Sequence, residues 1–226
     1  MMKEKEIAQL IDHTLLKPFA TYADFVQLCE EAKTYQFKMV AINSYPVKQC
    51  AKHLASSNVH VGAAIGFPLG QTTIATKVFE VRDAIANGCD EIDYVMNITE
   101  LKAGNLAYIE QEMQEIVDVC RNHQILVKVI LETCYLTDEE KIAVCKIAKR
   151  VKPDFVKTST GFGSAGATLE DVTLMKKTVG DAVAVKAAGG IRTLDDLLAM
   201  VEAGASRIGT SAGIAIIEEY RKRHHE

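Results

Sequence analysis

The chain has 226 residues, 48% hydrophobic and 25% charged, with 14 glycines and only 4 prolines, a balance that excludes disordered, collagen-like and disulfide-scaffold classes. Its formal net charge is −4 with both signs interspersed, leaving no basic stripe for a nucleic-acid backbone. No apolar run reaches the ~18 residues that suggest a membrane span.

The opening Met1-Met2-Lys3-Glu4-Lys5-Glu6 is charged and leads into a short amphipathic stretch, so a short N-terminal helix is expected there and not a secretion signal. Six cysteines (Cys29, Cys50, Cys89, Cys120, Cys134, Cys145) form no Cys-x-x-Cys pair. That is the pattern of free thiols in a reducing compartment, and a cytoplasmic location is expected.

From there, short apolar runs alternate with longer amphipathic stretches. Ile11–Lys17, Met39–Ser44 and His60–Phe67 read as the first three strands. Ile74, Val78, Val81 and Ile85 then share one helical face, with Gly88 as a stop. Glu91–Asn97 is the fourth strand, followed by a helix in which Ile109, Met113, Ile116 and Cys120 line up behind an Asn105 cap. Leu126–Glu132, Asp154–Thr160, Ala182–Ala188 and Ser206–Thr210 supply the remaining four. Thr137…Glu140, Thr168…Asp171 and Thr193…Asp196 resemble capping boxes, each opening a helix just downstream of a strand. The basic cluster Arg221-Lys222-Arg223 closes a last helix, where it complements the dipole.

The strands are nearly continuous in Val, Ile and Ala, as parallel strands covered by helices are. Eight strand–loop–helix units with no linker between them predict one α/β domain over 1–226, closed as a (β/α)8 barrel. An open doubly wound sheet is the main alternative.

Period two sorts each strand into two faces. Lys157 shares a face with Phe155 and Ser159, Lys186 with two alanines, and Asp93 alternates with Ile92 and Tyr94. If Val127, Val129 and Leu131 face the helices, Lys128 and Glu132 face the interior. A lone buried charge costs several kcal/mol or more, so such residues must be paired, solvated in a pocket, or functional. Two lysines on neighbouring strands have a chemical meaning, because desolvation and a second cation both disfavour an ammonium and free an amine to attack a carbonyl. Asp93 would then move protons. Charge placement does not say which lysine attacks, and Lys128 reads equally as a structural ion pair or a substrate contact.

Ile11-Asp12-His13-Thr14-Leu15-Leu16-Lys17, Glu91-Ile92-Asp93, Lys157-Thr158-Ser159-Thr160-Gly161-Phe162 and Lys186-Ala187-Ala188-Gly189-Gly190-Ile191-Arg192 resemble the deoxyribose-phosphate aldolase family. The resemblance spans nearly the whole chain. It implies a TIM barrel and a reversible cleavage of 2-deoxy-D-ribose 5-phosphate to D-glyceraldehyde 3-phosphate and acetaldehyde. Lys157 would be the Schiff-base lysine, Lys186 the lysine that perturbs it, and Asp93 the proton relay. Asp12 and Thr14 would lie near the substrate hydroxyls. Asn43 matches a position where some relatives carry cysteine, and is a further candidate contact. Phosphate would sit on the loops carrying Gly189, Gly190, Gly209 and Ser211, with Gly161 contributing an amide. Phe162 stands where some relatives have a lysine facing that phosphate. The partners expected are small phosphorylated sugars and aldehydes, with a homodimer or homotetramer implied, and neither metal nor cofactor is expected. A transaldolase-like enzyme, a metal-dependent aldolase and a phosphosugar-binding protein on a dead barrel are the rival readings.

Overall fold

The computed structural model describes residues 2–224; Met1, His225 and Glu226, the ends of the expected domain, lie outside the described residues. A short helix α1 (Glu4–Ala8) precedes β1 (Ile11–Leu15), followed by α2 (Tyr22–Tyr35), β2 (Met39–Asn43), α3 (Val47–Leu54) and β3 (His60–Ile65). Then come α4 (Ile74–Ala86), β4 (Glu91–Val95), and two helices in succession, α5 (Ile98–Lys102) and α6 (Leu106–Asn122). The chain continues through β5 (Leu126–Ile130), α7 (Asp138–Val151), β6 (Phe155–Lys157) and α8 (Leu169–Val179). It ends with β7 (Ala184–Ala188), α9 (Leu194–Glu202), β8 (Arg207–Thr210) and α10 (Gly213–His224). The strands pair in parallel and in chain order, and β8 returns to β1 through Ile11↔Ile208, Asp12↔Gly209 and His13↔Thr210. That last pairing closes the (β/α)8 TIM barrel and removes the open sheet.

The expected strands overreach mainly at their C-terminal ends: His60–Phe67 stops at Ile65, Leu126–Glu132 at Ile130, and Asp154–Thr160 at Lys157. There side chains take over the hydrogen bonding. Thr158 Oγ1 accepts from Ala188 N at 3.1 Å, and the Glu132 carboxylate accepts from Thr160 N at 3.1 Å. Glu132 itself has left-handed backbone (φ 56°) and turns to this loop, so it does not face the barrel axis as strand phase predicts.

Thr137 and Thr193 form reciprocal capping boxes with Glu140 and Asp196. Thr168 accepts from Asp171 N, but the Asp171 carboxylate turns instead to Lys141 Nζ at 2.6 Å, so that box is one-sided. A further box, Thr21 with Asp24, opens α2.

The apolar core lies between sheet and helices, with Val127 and Val129 of β5, Val185 and Ala187 of β7, and the expected face of α6 all buried in it. A wholly buried charged pair interrupts this shell. Lys77 of α4 and Glu112 of α6 are fully buried, with Nζ 2.6 Å from Oε1. Burial pushes the lysine down and the glutamate up, against their mutual attraction. Lys77 also donates to Val95 O at 2.7 Å, and Asn97 N donates to Glu112 Oε2 at 2.9 Å. The pair therefore pins the end of β4 to two helices. Lys77→Ala should cost about 3–5 kcal/mol by urea denaturation, because it strands a buried carboxyl. Lys77→Met combined with Glu112→Leu should recover most of that. A loss under ~1 kcal/mol in the single variant would deny the pair a structural role.

Candidate active site

Seven charged side chains project into the barrel: Asp12, Glu91, Asp93, Lys128, Lys157, Lys186 and Arg207, none more than 5% exposed. Asp93 is the hub. Its Oδ1 accepts from Lys128 Nζ at 2.7 Å, while Oδ2 accepts from Lys157 Nζ at 2.8 Å and Lys186 Nζ at 2.7 Å. Glu91 lies 2.5 Å from Lys128 and 3.3 Å from Arg207. Asp12 pairs with Arg207 at 2.7 Å and also with Lys186. Glycine makes the room this needs, since a Cβ at Gly209 would stand 3.3 Å from Lys186 Cε and 2.9 Å from Ala188 Cβ.

Four cations thus face three carboxylates. Lys128, Lys186 and Arg207 each touch two carboxylates, whereas Lys157 touches one. The protonation preferences follow. Burial is the largest influence on Lys157 and pushes its amine down; Asp93 opposes this, Lys186 reinforces it, and the result is about 8. Lys128 suffers the same burial, but Asp93 and Glu91 together carry it above the ordinary lysine value. Asp93 is held well below the usual carboxylate range, its own burial outweighed by the three ammonium groups.

Of the seven, only Lys157 lines the cleft of about 520 Å³ at the C-terminal mouth of the barrel. Thr14, Gly161, Gly189, Gly190, Gly209 and Ser211 line it too, with Lys17 and Arg192 as its other cations. Gly161, Gly189 and Gly190 are left-handed (φ 88°, 88° and 82°). A Cβ would meet open space at Gly161 and Gly190, so at those two the backbone conformation alone calls for glycine. At Gly189 the reason is also closeness: a Cβ there would stand 2.9 Å from Gly166 Cα. Among the described residues, the amides of Gly161, Gly190 and Ser211 donate to no protein acceptor. Ser211 is exposed and sits just before α10, where the helix dipole favours an anion. Phe162 is 51% exposed and packs edge-on to Phe67 with centroids 5.4 Å apart.

Three expected contacts lie elsewhere. Asp12 and Lys128 are fully buried and do not line the cleft; Arg207 and Lys186 hold the first, Glu91 and Asp93 the second. Asn43, at the end of β2, donates to Leu16 O at 3.3 Å and does not line the cleft. Sequence reading missed Glu91 and Arg207. Glu91 shares parity with Asp93 and was open to the same argument; Arg207 stands at the start of its strand, where a solvated end is the ordinary reading. Among the described residues, no three His, Cys, Asp or Glu side chains gather as metal ligands.

Residues 6–219 match the DeoC/LacD family of aldolases. A deoxyribose-phosphate aldolase of Lactobacillus acidophilus is 59% identical, covering 96% of this chain and 92% of the relative. One from Bacteroides thetaiotaomicron is 56% identical over the same shares. The tetrameric deoxyribose phosphate aldolase of Aeropyrum pernix superposes with a TM-score of 0.91 at 30% identity, covering 98% of this chain and 93% of that one. The chain belongs to the DeoC/LacD aldolase family.

Proposed function

We propose that this protein is a deoxyribose-phosphate aldolase that works through a Schiff base at Lys157. The observation that carries the reading is a buried amine, held near a value of about 8, reaching the floor of the cleft beside Asp93 and Lys186. An ordinary lysine near ~10.4 is almost wholly protonated at neutral pH, whereas a value of about 8 leaves a much larger neutral fraction.

In this mechanism the neutral Lys157 amine attacks the aldehyde carbon of open-chain 2-deoxyribose 5-phosphate, and loss of water gives a protonated imine. The proton on the hydroxyl at C3 leaves, through a water, towards Asp93 and Lys186. The C2–C3 bond breaks, its electron pair passing into the iminium to give an enamine and release glyceraldehyde 3-phosphate. Protonation of the enamine carbon and hydrolysis of the imine then free acetaldehyde and the amine. Lys186 serves twice, as a cation that disfavours the Lys157 ammonium and as a proton carrier.

The free amides of Gly161 and Gly190, with Ser211 at the start of α10, are assigned to the phosphate, and Thr14 to a sugar hydroxyl. Phe162 offers the phosphate no cation, which leaves that side of the site to backbone dipoles and Arg192. We further assign the chain to the cytoplasm as a single-domain homodimer or homotetramer without nucleic-acid or membrane partners. The tetrameric Aeropyrum pernix relative supports the assembly, and no described helix is long and apolar enough to cross a membrane.

Incubation with acetaldehyde and borohydride should fix a two-carbon adduct on Lys157, read by peptide mass; an active enzyme that yields none, or labels another residue, refutes the assignment. The acidic limb of kcat/KM should fall near pH 8, because the reactive form is the deprotonated one and is lost as pH drops below that value. Lys186→Met removes a like charge, so the limb should move up by about one unit and kcat/KM at pH 7 should drop about tenfold. A limb that stays in place would confine Lys186 to proton transfer. Ser211→Ala should raise KM for the phosphorylated substrate about 5–10-fold with kcat little changed, as loss of one hydrogen bond to a charged group predicts.

A further inference from the structure

The cleft occupies only part of the barrel mouth. Its lining comes from the ends and following loops of β1, β6, β7 and β8 and from α2, and among the described residues β2 to β5 contribute none of it. The other side is crossed by two rings. Phe67 follows β3 and Phe162 follows β6, with β4 and β5 standing between those strands in the closed barrel. The rings nevertheless meet edge to face, their planes at 90° and their centroids 5.4 Å apart. A contact between loops three strands apart is a chord across the mouth. It passes on the side of the two strands that carry Asp93 and Lys128.

Both rings stand on braced turns. Gly66 N donates to Glu80 Oε2 at 2.8 Å and Gly70 N donates to Gly66 O at 2.7 Å, so the turn that carries Phe67 is closed on itself and tied to α4. A Cβ at Gly70 would collide with the Met96 carbonyl, which sets this turn against the end of β4. On the other side, Phe162 N donates to Thr160 Oγ1 at 3.0 Å, and Thr160 N donates in turn to Glu132 at 3.1 Å. A Cβ at Gly163 would stand 2.7 Å from Cys134 Sγ, so the next residue is fixed against the loop after β5. With both backbones held, the rings give way only by changing rotamer.

We propose that Phe67 and Phe162 are specificity-determining residues that limit the aldehyde donor to two carbons. The inference rests on the Schiff-base reading of Lys157. In that reading the donor is held by an amine that touches Asp93 of β4, and the chain beyond the new carbon–carbon bond runs to the phosphate loops after β6, β7 and β8. A further carbon on either donor atom, as in propanal or acetone, is left the direction away from those loops. That is the direction the ring pair closes. Acetaldehyde has only hydrogens to place there. One methyl group refused by an apolar wall is worth on the order of tenfold or more in kcat/KM.

The test is kcat/KM for acetaldehyde, propanal and acetone as donors, each added to D-glyceraldehyde 3-phosphate at one saturating concentration, so that changes in acceptor binding cancel in the ratios. Borohydride trapping of each donor on Lys157 is followed in parallel by peptide mass. Phe162→Ala and Phe67→Ala should each raise the propanal-to-acetaldehyde ratio, the acetone-to-acetaldehyde ratio or both about tenfold, while Phe162→Tyr, which keeps the ring, should leave both within about twofold. Phe162→Ala, at a half-exposed ring, decides the question if Phe67→Ala folds poorly. Unchanged ratios in Phe162→Ala overturn the proposal, as does an equal rise in Phe162→Tyr, which would mark a general loosening of the loop. An unsubstituted protein that uses all three donors equally overturns it as well. If the unsubstituted protein turns over acetaldehyde without an adduct on Lys157, the Schiff-base reading falls and this inference with it. An adduct with unchanged ratios sinks this inference alone.

Discussion

The structure depends on one carboxylate accepting three ammonium groups. Asp93 alone touches Lys128, Lys157 and Lys186, and all four side chains are nearly or fully buried. Charges in such a place persist only when their neighbours satisfy them. Glu91 and Asp12 complete the compensation for Lys128, Lys186 and Arg207, leaving Lys157 with a single partner. The surplus cation and the reactive amine are thus the same group. Making it neutral balances three cations against three carboxylates, so the electrostatics lower the cost of the protonation state that the chemistry needs.

The fold brings this about through register. Lys157 and Lys186 are directly paired across β6 and β7, and Asp93 and Lys128 across β4 and β5. Each pair lies on the inner face by parity, while the alternate residues feed the apolar shell between sheet and helices. The loops above are braced backbone to backbone. Ala167 N donates to Ala188 O at 3.1 Å and to Gly189 O at 3.0 Å, and Gly166 and Gly189 approach too closely for side chains. The amine and the loops assigned to the phosphate are therefore held on adjoining strands by the same contacts.

Much of this was legible in the sequence. The alternation of apolar runs with capped helices gave the order of all eight strands, and period two put Asp93, Lys128, Lys157 and Lys186 inside. Depth was not legible. Asp12 and Lys128 face inward as their parity predicts but do not line the cleft, since a strand pattern says which face a residue takes and not how far along the axis it stands. The Lys77–Glu112 pair was missed because a charge at a core position of a helix resembles a solvated one until its partner, 35 residues on, is known. Which lysine has a second carboxylate partner was likewise beyond sequence, because Asp12 and Glu91 are contributed by distant strands.

The barrel also divides its charges by half. Asp12, Glu91 and Asp93 all come from β1 to β4, and Lys128, Lys157, Lys186 and Arg207 all come from β5 to β8. Each half-barrel on its own therefore presents a concave face of one sign, acidic in the first and basic in the second. Two copies of the same half would set like charges against each other in a dry interior, whereas unlike halves neutralise one another. Complementary potential thereby favours the correct union of N- and C-terminal halves over self-pairing, a safeguard during assembly that comes from the same residues as the reactive centre.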